Sequence, residues 1–299
     1  MLLLSYQSMV TTIKKTAQAY YRLTKPGIIY GNAFTTVGAF LLASQGHIDI
    51  GLLLATVAGV SLIIGSGCVY NNYIDRGIDK KMARTKGRAL VQGTISGRNA
   101  LIFAVILTAL GLGVLETFVN MLTVWLGILG LFFYVVLYGI SKRKSVYGTI
   151  VGSVSGALPP VAGYCAVTGQ LDSGALILFL ILTFWQMPHF YAIAMYRHDD
   201  YAKAGLPVLP VSQGMHAAKI HILAYSFGFL AAASALTVFG YTGYTYAVVM
   251  GALGITWIWK GIAGFKSVDN PRWGRKMFLF SLIVLTSFSV MISLDWLLP

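Results

Sequence analysis

The chain has 299 residues, 57% of them hydrophobic and only 10% charged, with a mean hydropathy of +0.74, which excludes a water-soluble domain of this length. A formal net charge of +13 raises nucleic acid as a partner, but in so apolar a chain it reads as basic loops facing anionic lipid. The two cysteines, Cys68 and Cys165, both lie in apolar runs, where they serve as small packing residues rather than a disulfide or metal pair.

Residues 1–27 read as a cytoplasmic N-terminal segment, and 28–299 as a single membrane domain. Met1 to Thr12 lacks the ordered charged start, apolar centre and cleavage site of a signal peptide, so it is expected in the mature protein. Apolar runs near the spanning length of about 20 residues follow at 28–44, 51–73, 99–115, 119–140, 147–168, 174–195, 217–238, 242–260 and 277–296. The expected fold is therefore all-α, a polytopic bundle of nine transmembrane helices with its termini on opposite sides.

All 22 Lys and Arg residues fall before the first run or in alternate connections after it. The other connections hold no Lys or Arg, only acids such as Asp49, Glu116 and Asp172. The excess of basic residues on the inner side of membranes predicts a cytoplasmic N-terminus and a periplasmic C-terminus. Two inner connections are long, near 74–98 and 196–216. Each opens on carboxylates at the end of an apolar run and continues through basic residues into a Gly-containing stretch. They follow the second and sixth runs, which suggests a distant duplication of a four-helix unit.

Asn71, Asp75 and Asp79 open the first of these connections at four-residue spacing. On a helix they would form one stripe of oxygens roughly 12 Å long, at about 1.5 Å per residue. Such a row suits Mg2+ holding a phosphorylated ligand. The second connection carries Asp199, Asp200 and Lys203. Local charge balance accounts for Asp200 alone, but poorly for acids gathered at the two ends that open long loops. Two half-sites converging on one metal–diphosphate centre account for both. Asn71, Asp75, Asp79 and Asp199 would be metal ligands. Lys25, Arg84, Lys86, Arg88, Tyr138, Ser141, Lys142 and Lys203 would bind diphosphate, although Tyr138 and Lys142 serve equally well as interfacial anchors. Asp75, Asp79, Asp199 and Lys203 are the candidate catalytic residues. Ionising an allylic diphosphate needs such charge neutralisation and a dry apolar chamber.

His189 lies inside the sixth run after Pro188, flanked by Trp185, Phe190 and Tyr191. Buried ionisable groups in membranes face the interior, and a neutral imidazole can ligate haem iron. His189, Trp185 and His198 are the candidate haem-binding residues, with a solvated loop histidine the equal alternative for His198.

Asn71-x-x-x-Asp75-x-x-x-Asp79, followed by Met82-x-Arg84-Thr85-x-x-Arg88-x-Leu90, resembles the first signature of the UbiA-type intramembrane prenyltransferases. The stretches Ser141–Tyr164, Trp185–Ala192 and Asp200–Val211 resemble the haem-farnesylating branch of that family over nearly the whole chain. Two positions depart. Gly77 stands where relatives carry Asp, and Lys203 stands where the wider family ends a second Asp-x-x-x-Asp. The second exchange trades a metal ligand for a phosphate-binding cation. The resemblance implies Mg2+-dependent transfer of a farnesyl group from farnesyl diphosphate to a vinyl group of haem B, giving haem O and diphosphate. It also implies a bacterial inner-membrane location with the site facing the cytoplasm, and haem A synthase or a terminal oxidase as partners. The rival readings are a prenyltransferase for another aromatic acceptor such as 4-hydroxybenzoate, and a transporter of a phosphorylated or lipid substrate. A transporter would place ionisable groups nearer the membrane midplane.

Overall fold

The second span runs as one unbroken helix from Ile50 to Asp79, 30 residues in the computed structural model, which describes residues 14–298. At about 1.5 Å per residue it is roughly 45 Å long, against a hydrocarbon core of about 30 Å. The surplus, about three turns, carries Asp75 and Asp79 beyond the apolar run, with Asn71 at its inner end. The reading of Met1 to Thr12 falls outside the described residues.

Nine helices among the described residues are long and apolar enough to cross a membrane: Pro26–Ser44, Ile50–Asp79, Gly97–Phe118, Met121–Lys144, Gly148–Thr168, Ser173–Tyr196, Gly214–Val238, Tyr244–Gly264 and Asn270–Leu297. Each matches one predicted run. Most extend further than predicted at the ends rich in Lys and Arg, because polar residues continue a helix whose start the apolar run has fixed. Each span packs on its neighbours in sequence, and the ninth returns to the first, closing a ring. The first span also packs along the fifth, and the sixth along the ninth, so the fifth and sixth are the most enclosed.

Membrane helices have no hydrophobic drive toward one another, so close packing of small residues holds them. At Gly163 in the fifth span, a Cβ would lie 2.2 Å from the carbonyl oxygen of Thr36 in the first. At Gly111 in the third span, a Cβ would meet the Gly59 carbonyl of the second at 3.0 Å. Only glycine permits these backbone approaches.

Four of the nine acids serve helix ends. Asp49, Asp172 and Asp269 accept from the backbone N–H groups of Leu52, Ala175 and Arg272, and so cap the second, sixth and ninth spans. Asp295 accepts from the Gly243 N–H. Asp75, Asp79, Asp199 and Asp200 stand at the basic end of the bundle with no capping bond.

A second, smaller apolar cluster lies at that end. A helix over 14–23 precedes the first span, and its Leu23 packs with Val69, Leu90, Ile95, Ala100 and Ala104. Tyr20 meets Phe103 edge-on, with ring centroids 5.1 Å apart. Asn72 Nδ2 donates to the Leu23 carbonyl at 2.8 Å. The helix and the connection after Asp79 are thus anchored together on the second and third spans.

Candidate active site

Each member of the oxygen stripe meets a cation from a different part of the chain. Lys25 Nζ donates to Asn71 Oδ1 at 3.1 Å. Lys142 Nζ donates to Asp75 Oδ2 at 2.5 Å, and an Arg143 guanidinium nitrogen donates to Asp75 Oδ1 at 3.1 Å. Arg88 donates to Asp79 Oδ2 at 2.6 Å. Four cations against two carboxylates leave this cluster two charges positive. It is sheltered: the Asp75 side chain is 13% exposed and that of Asp79 6%. Burial also pulls the Lys25 ammonium down to about 8, with Arg88 and Lys142 adding to the effect and Cys68 and Asp75 opposing it.

Local backbone explains how these groups arrive. Lys25 takes φ 52°, in the left-handed region, just before Pro26 starts the first span. The fourth span contains one π-helical turn at Phe133–Leu137, immediately before Tyr138. Such turns re-phase the residues that follow and recur at functional sites. Beyond it, Tyr138 stacks on Tyr134, and the Lys142 ammonium lies 4.8 Å from the centroid of the Tyr138 ring. Ser141 Oγ donates back to the Tyr138 carbonyl at 3.4 Å and takes no part in the cluster. Thr85 Oγ1 donates to the Asp79 carbonyl at 2.9 Å and secures the turn that delivers Arg88.

The second half-site is arranged differently. The short helix His198–Ala204 holds Asp199 with its side chain 88% exposed, and the carboxylate meets only His198 Nδ1, at 3.3 Å. Lys203 is exposed, as are Arg84 and Lys86. No three His, Cys, Asp or Glu side chains converge as metal ligands among the described residues. The buried residue of this helix is Ala204, and Tyr201 beside it is half-buried. Burial pushes its phenol up, while Arg84 and Arg197 nearby pull it back. The donor set on the second span still fits Mg2+: two carboxylates and an amide oxygen, all hard oxygens, with phosphate and water able to complete the shell. The Asn71 amide Nδ2 is buried without a partner, a free donor for a phosphate oxygen.

Sequence reasoning passed over Arg143 and Tyr201. Arg143 sits in the basic run Lys142-Arg143-Lys144, and only helix packing singles it out as the second cation on Asp75.

His189 lies between the sixth and ninth spans. Its ring stacks on Trp185 at 4.6 Å and lies 5.1 Å from Phe278. His189 Nδ1 is 2.7 Å from Ser281 Oγ, whose single hydrogen is given to the Phe278 carbonyl at 2.6 Å. Ser281 therefore accepts, and the neutral imidazole carries its hydrogen on Nδ1. Nε2 keeps its lone pair, the state required of a metal ligand. Trp185 Nε1 donates to the Ser281 carbonyl at 2.8 Å and fixes the same corner. His198 is on a separate helix and contacts only Asp199 in the pairs above.

The model of the UbiA prenyltransferase family matches residues 32–283. The chain is 53% identical to a protein named protoheme IX farnesyltransferase from Yersinia enterocolitica, over 94% of this chain and 95% of that protein. Among solved structures it resembles a digeranylgeranylglyceryl phosphate synthase, with TM-score 0.78 at 20% identity, covering 94% of this chain and 99% of that one. It also resembles a UbiA homolog from Archaeoglobus fulgidus bound to GPP and Mg2+, with TM-score 0.64 at 14% identity, covering 92% and 99%.

Proposed function

The chain belongs to the UbiA prenyltransferase family, and from that premise we propose that it transfers the farnesyl group of farnesyl diphosphate to a vinyl group of haem B. The named relative at 53% identity over almost the whole chain carries the choice of both substrates. The observation in the molecule that supports the chemistry is the sheltered, net-positive cluster around Asp75 and Asp79.

In this reading Lys25, Arg88, Lys142 and Arg143 turn from their present oxygen partners to the diphosphate, and Asn71 Nδ2 donates to it. Asp75 and Asp79 would hold Mg2+, with Asn71 Oδ1 beside them. When bound, the ion neutralises diphosphate oxygens and makes them a better leaving group. Tyr201 of the short helix, half-buried near Arg84, supports a role for that helix over the same site. Asp199 and Lys203 complete the metal and phosphate contacts when substrate binds. The apolar spans keep water from the allylic cation until the vinyl group captures it. The new carbon–carbon bond joins the farnesyl carbon to the vinyl terminus. Water adds at the neighbouring carbon and a proton leaves, giving the hydroxyethylfarnesyl group of haem O. His189, its Nδ1 hydrogen held by Ser281, ligates the substrate iron through Nε2, with Trp185 against the imidazole.

The distribution of basic residues supports an inner-membrane protein with this site at the cytoplasmic face. Haem O is a hydrophobic product, which supports hand-over to haem A synthase or a terminal oxidase. Offered haem B and 4-hydroxybenzoate together with Mg2+ and labelled farnesyl diphosphate, the purified protein is expected to place label in the haem. Label confined to 4-hydroxybenzoate would overturn the choice of acceptor.

A further inference from the structure

Gln186 lies one turn before His189 on the sixth span and is 5% exposed. Its amide nitrogen gives both hydrogens to backbone carbonyls. Nε2 donates to the Ser153 carbonyl of the fifth span at 3.1 Å and to the Leu182 carbonyl of its own helix at 3.0 Å. Both partners are oxygens, so the atom facing them is the nitrogen and the amide is fixed in one orientation. The Oε1 oxygen takes no hydrogen bond among the described residues. Gly156 of the fifth span makes this placement possible, since a Cβ there would collide with Oε1.

More polar groups without partners gather nearby. Pro160 has no N–H, so the Gly156 carbonyl loses the partner that a helix supplies four residues on. The Thr183 hydroxyl, one turn before Gln186, is buried without a partner. Unsatisfied polar groups are costly inside a membrane, where bulk solvent does not reach them. A site with more acceptors than donors suits a water molecule, which brings two donors of its own.

The transfer proposed above needs one such molecule. Once the farnesyl carbon has joined the vinyl terminus, the neighbouring carbon is a cation on the rim of the macrocycle. In a chamber dry enough for the allylic cation to survive, this second cation meets water only where the protein holds it. Otherwise it loses a proton from the adjacent CH2 and becomes an alkene. Gln186 stands about 4.5 Å along the helix axis from His189, at about 1.5 Å per residue. That brings a water on Oε1 to the edge of a macrocycle whose iron is held by His189.

We propose that Gln186 holds the water that hydrates the vinyl-derived cation, an inference that rests on the haem farnesylation proposed above. Oε1 accepts one water hydrogen, which leaves a lone pair of the water oxygen facing the cation. The carbon–oxygen bond forms, and the proton lost from the resulting oxonium goes to the released diphosphate. Ser153 and Gly156 act as positioning residues, because they fix where Oε1 points.

Product composition tests this. Gln186→Met keeps the approximate volume and removes the acceptor. Supplied with farnesyl diphosphate, haem B and Mg2+, this variant is expected to shift the ratio of hydroxyethylfarnesyl haem to alkene about tenfold or more toward the alkene, the loss of one orienting hydrogen bond. The two products are separated by chromatography, and the alkene is lighter by one water. Diphosphate release should stay within about threefold of wild type, because Gln186 bonds to no member of the Asp75 cluster. Gln186→Glu keeps an acceptor oxygen while its carboxylic acid donates to one carbonyl, and it should restore the hydrated product. Gly156→Ala, which displaces Oε1 with Gln186 still present, should raise the alkene as Gln186→Met does. A merely structural Gln186 would lower the melting temperature and leave the product ratio at its wild-type value, which would overturn the inference. Equal alkene from Gln186→Glu and Gln186→Met would overturn it too. Wild-type protein that farnesylates no haem would remove the acceptor reading and this inference together, whereas an unchanged ratio in protein that makes haem O removes this inference alone.

Discussion

Asp75→Asn is expected to lower the rate of farnesyl transfer by about 10²- to 10³-fold, the usual loss when one preorganised charge-stabilising group is removed from a transition state. Asparagine keeps the shape of the side chain and one oxygen for Lys142, but it removes the charge that would hold Mg2+ against the diphosphate. Haem binding should stay within about twofold, because His189 and Ser281 lie on other spans. Asp75→Ala is the less informative change. It leaves Lys142, whose side chain is 12% exposed, beside no carboxylate, and unpaired buried charge destabilises the fold as well as the reaction. A rate in Asp75→Asn close to wild type, measured with haem B saturating, would return Asp75 to the role of a counter-ion for Lys142 and Arg143.

His189→Ala carries the second large effect. The Soret band of bound haem B should move, and haem affinity should fall by about 10- to 100-fold, the scale on which disturbing a metal ligand's environment is felt. Ser281→Ala should produce a smaller change of the same kind, since it removes the acceptor that keeps the hydrogen on Nδ1. A merely structural His189 would lower the melting temperature and leave the spectrum of the remaining bound haem untouched.

Parts of this arrangement were legible in the amino-acid order because they rest on local physics. Apolar length gave the nine spans, and four-residue spacing placed Asn71, Asp75 and Asp79 on one stripe once the helix ran on to Asp79. The acids at Asp49 and Asp172 read as outer-side charge and prove to be helix caps, because a cap depends on the bond to a backbone N–H two or three residues on. What the order of residues could not convey is which cation meets which oxygen. Arg143 reaches Asp75 across 68 positions of chain, and Lys25 reaches Asn71 across 46. The second half-site shows the same limit. Spacing marked Asp199 and Lys203, yet the helical phase of His198–Ala204 buries Ala204, half-buries Tyr201 and leaves those two outside. The tautomer of His189 depends on a serine 92 positions away.

The central claim is the joining of farnesyl and haem, and product analysis tests it most directly. Purified protein incubated with farnesyl diphosphate, haem B and Mg2+ should yield a haem whose mass has increased by one farnesyl group and one water less a proton equivalent, the hydroxyethylfarnesyl haem, together with one diphosphate per haem converted. Unchanged haem B alongside an active control enzyme, with the protein folded and haem bound, would contradict the account.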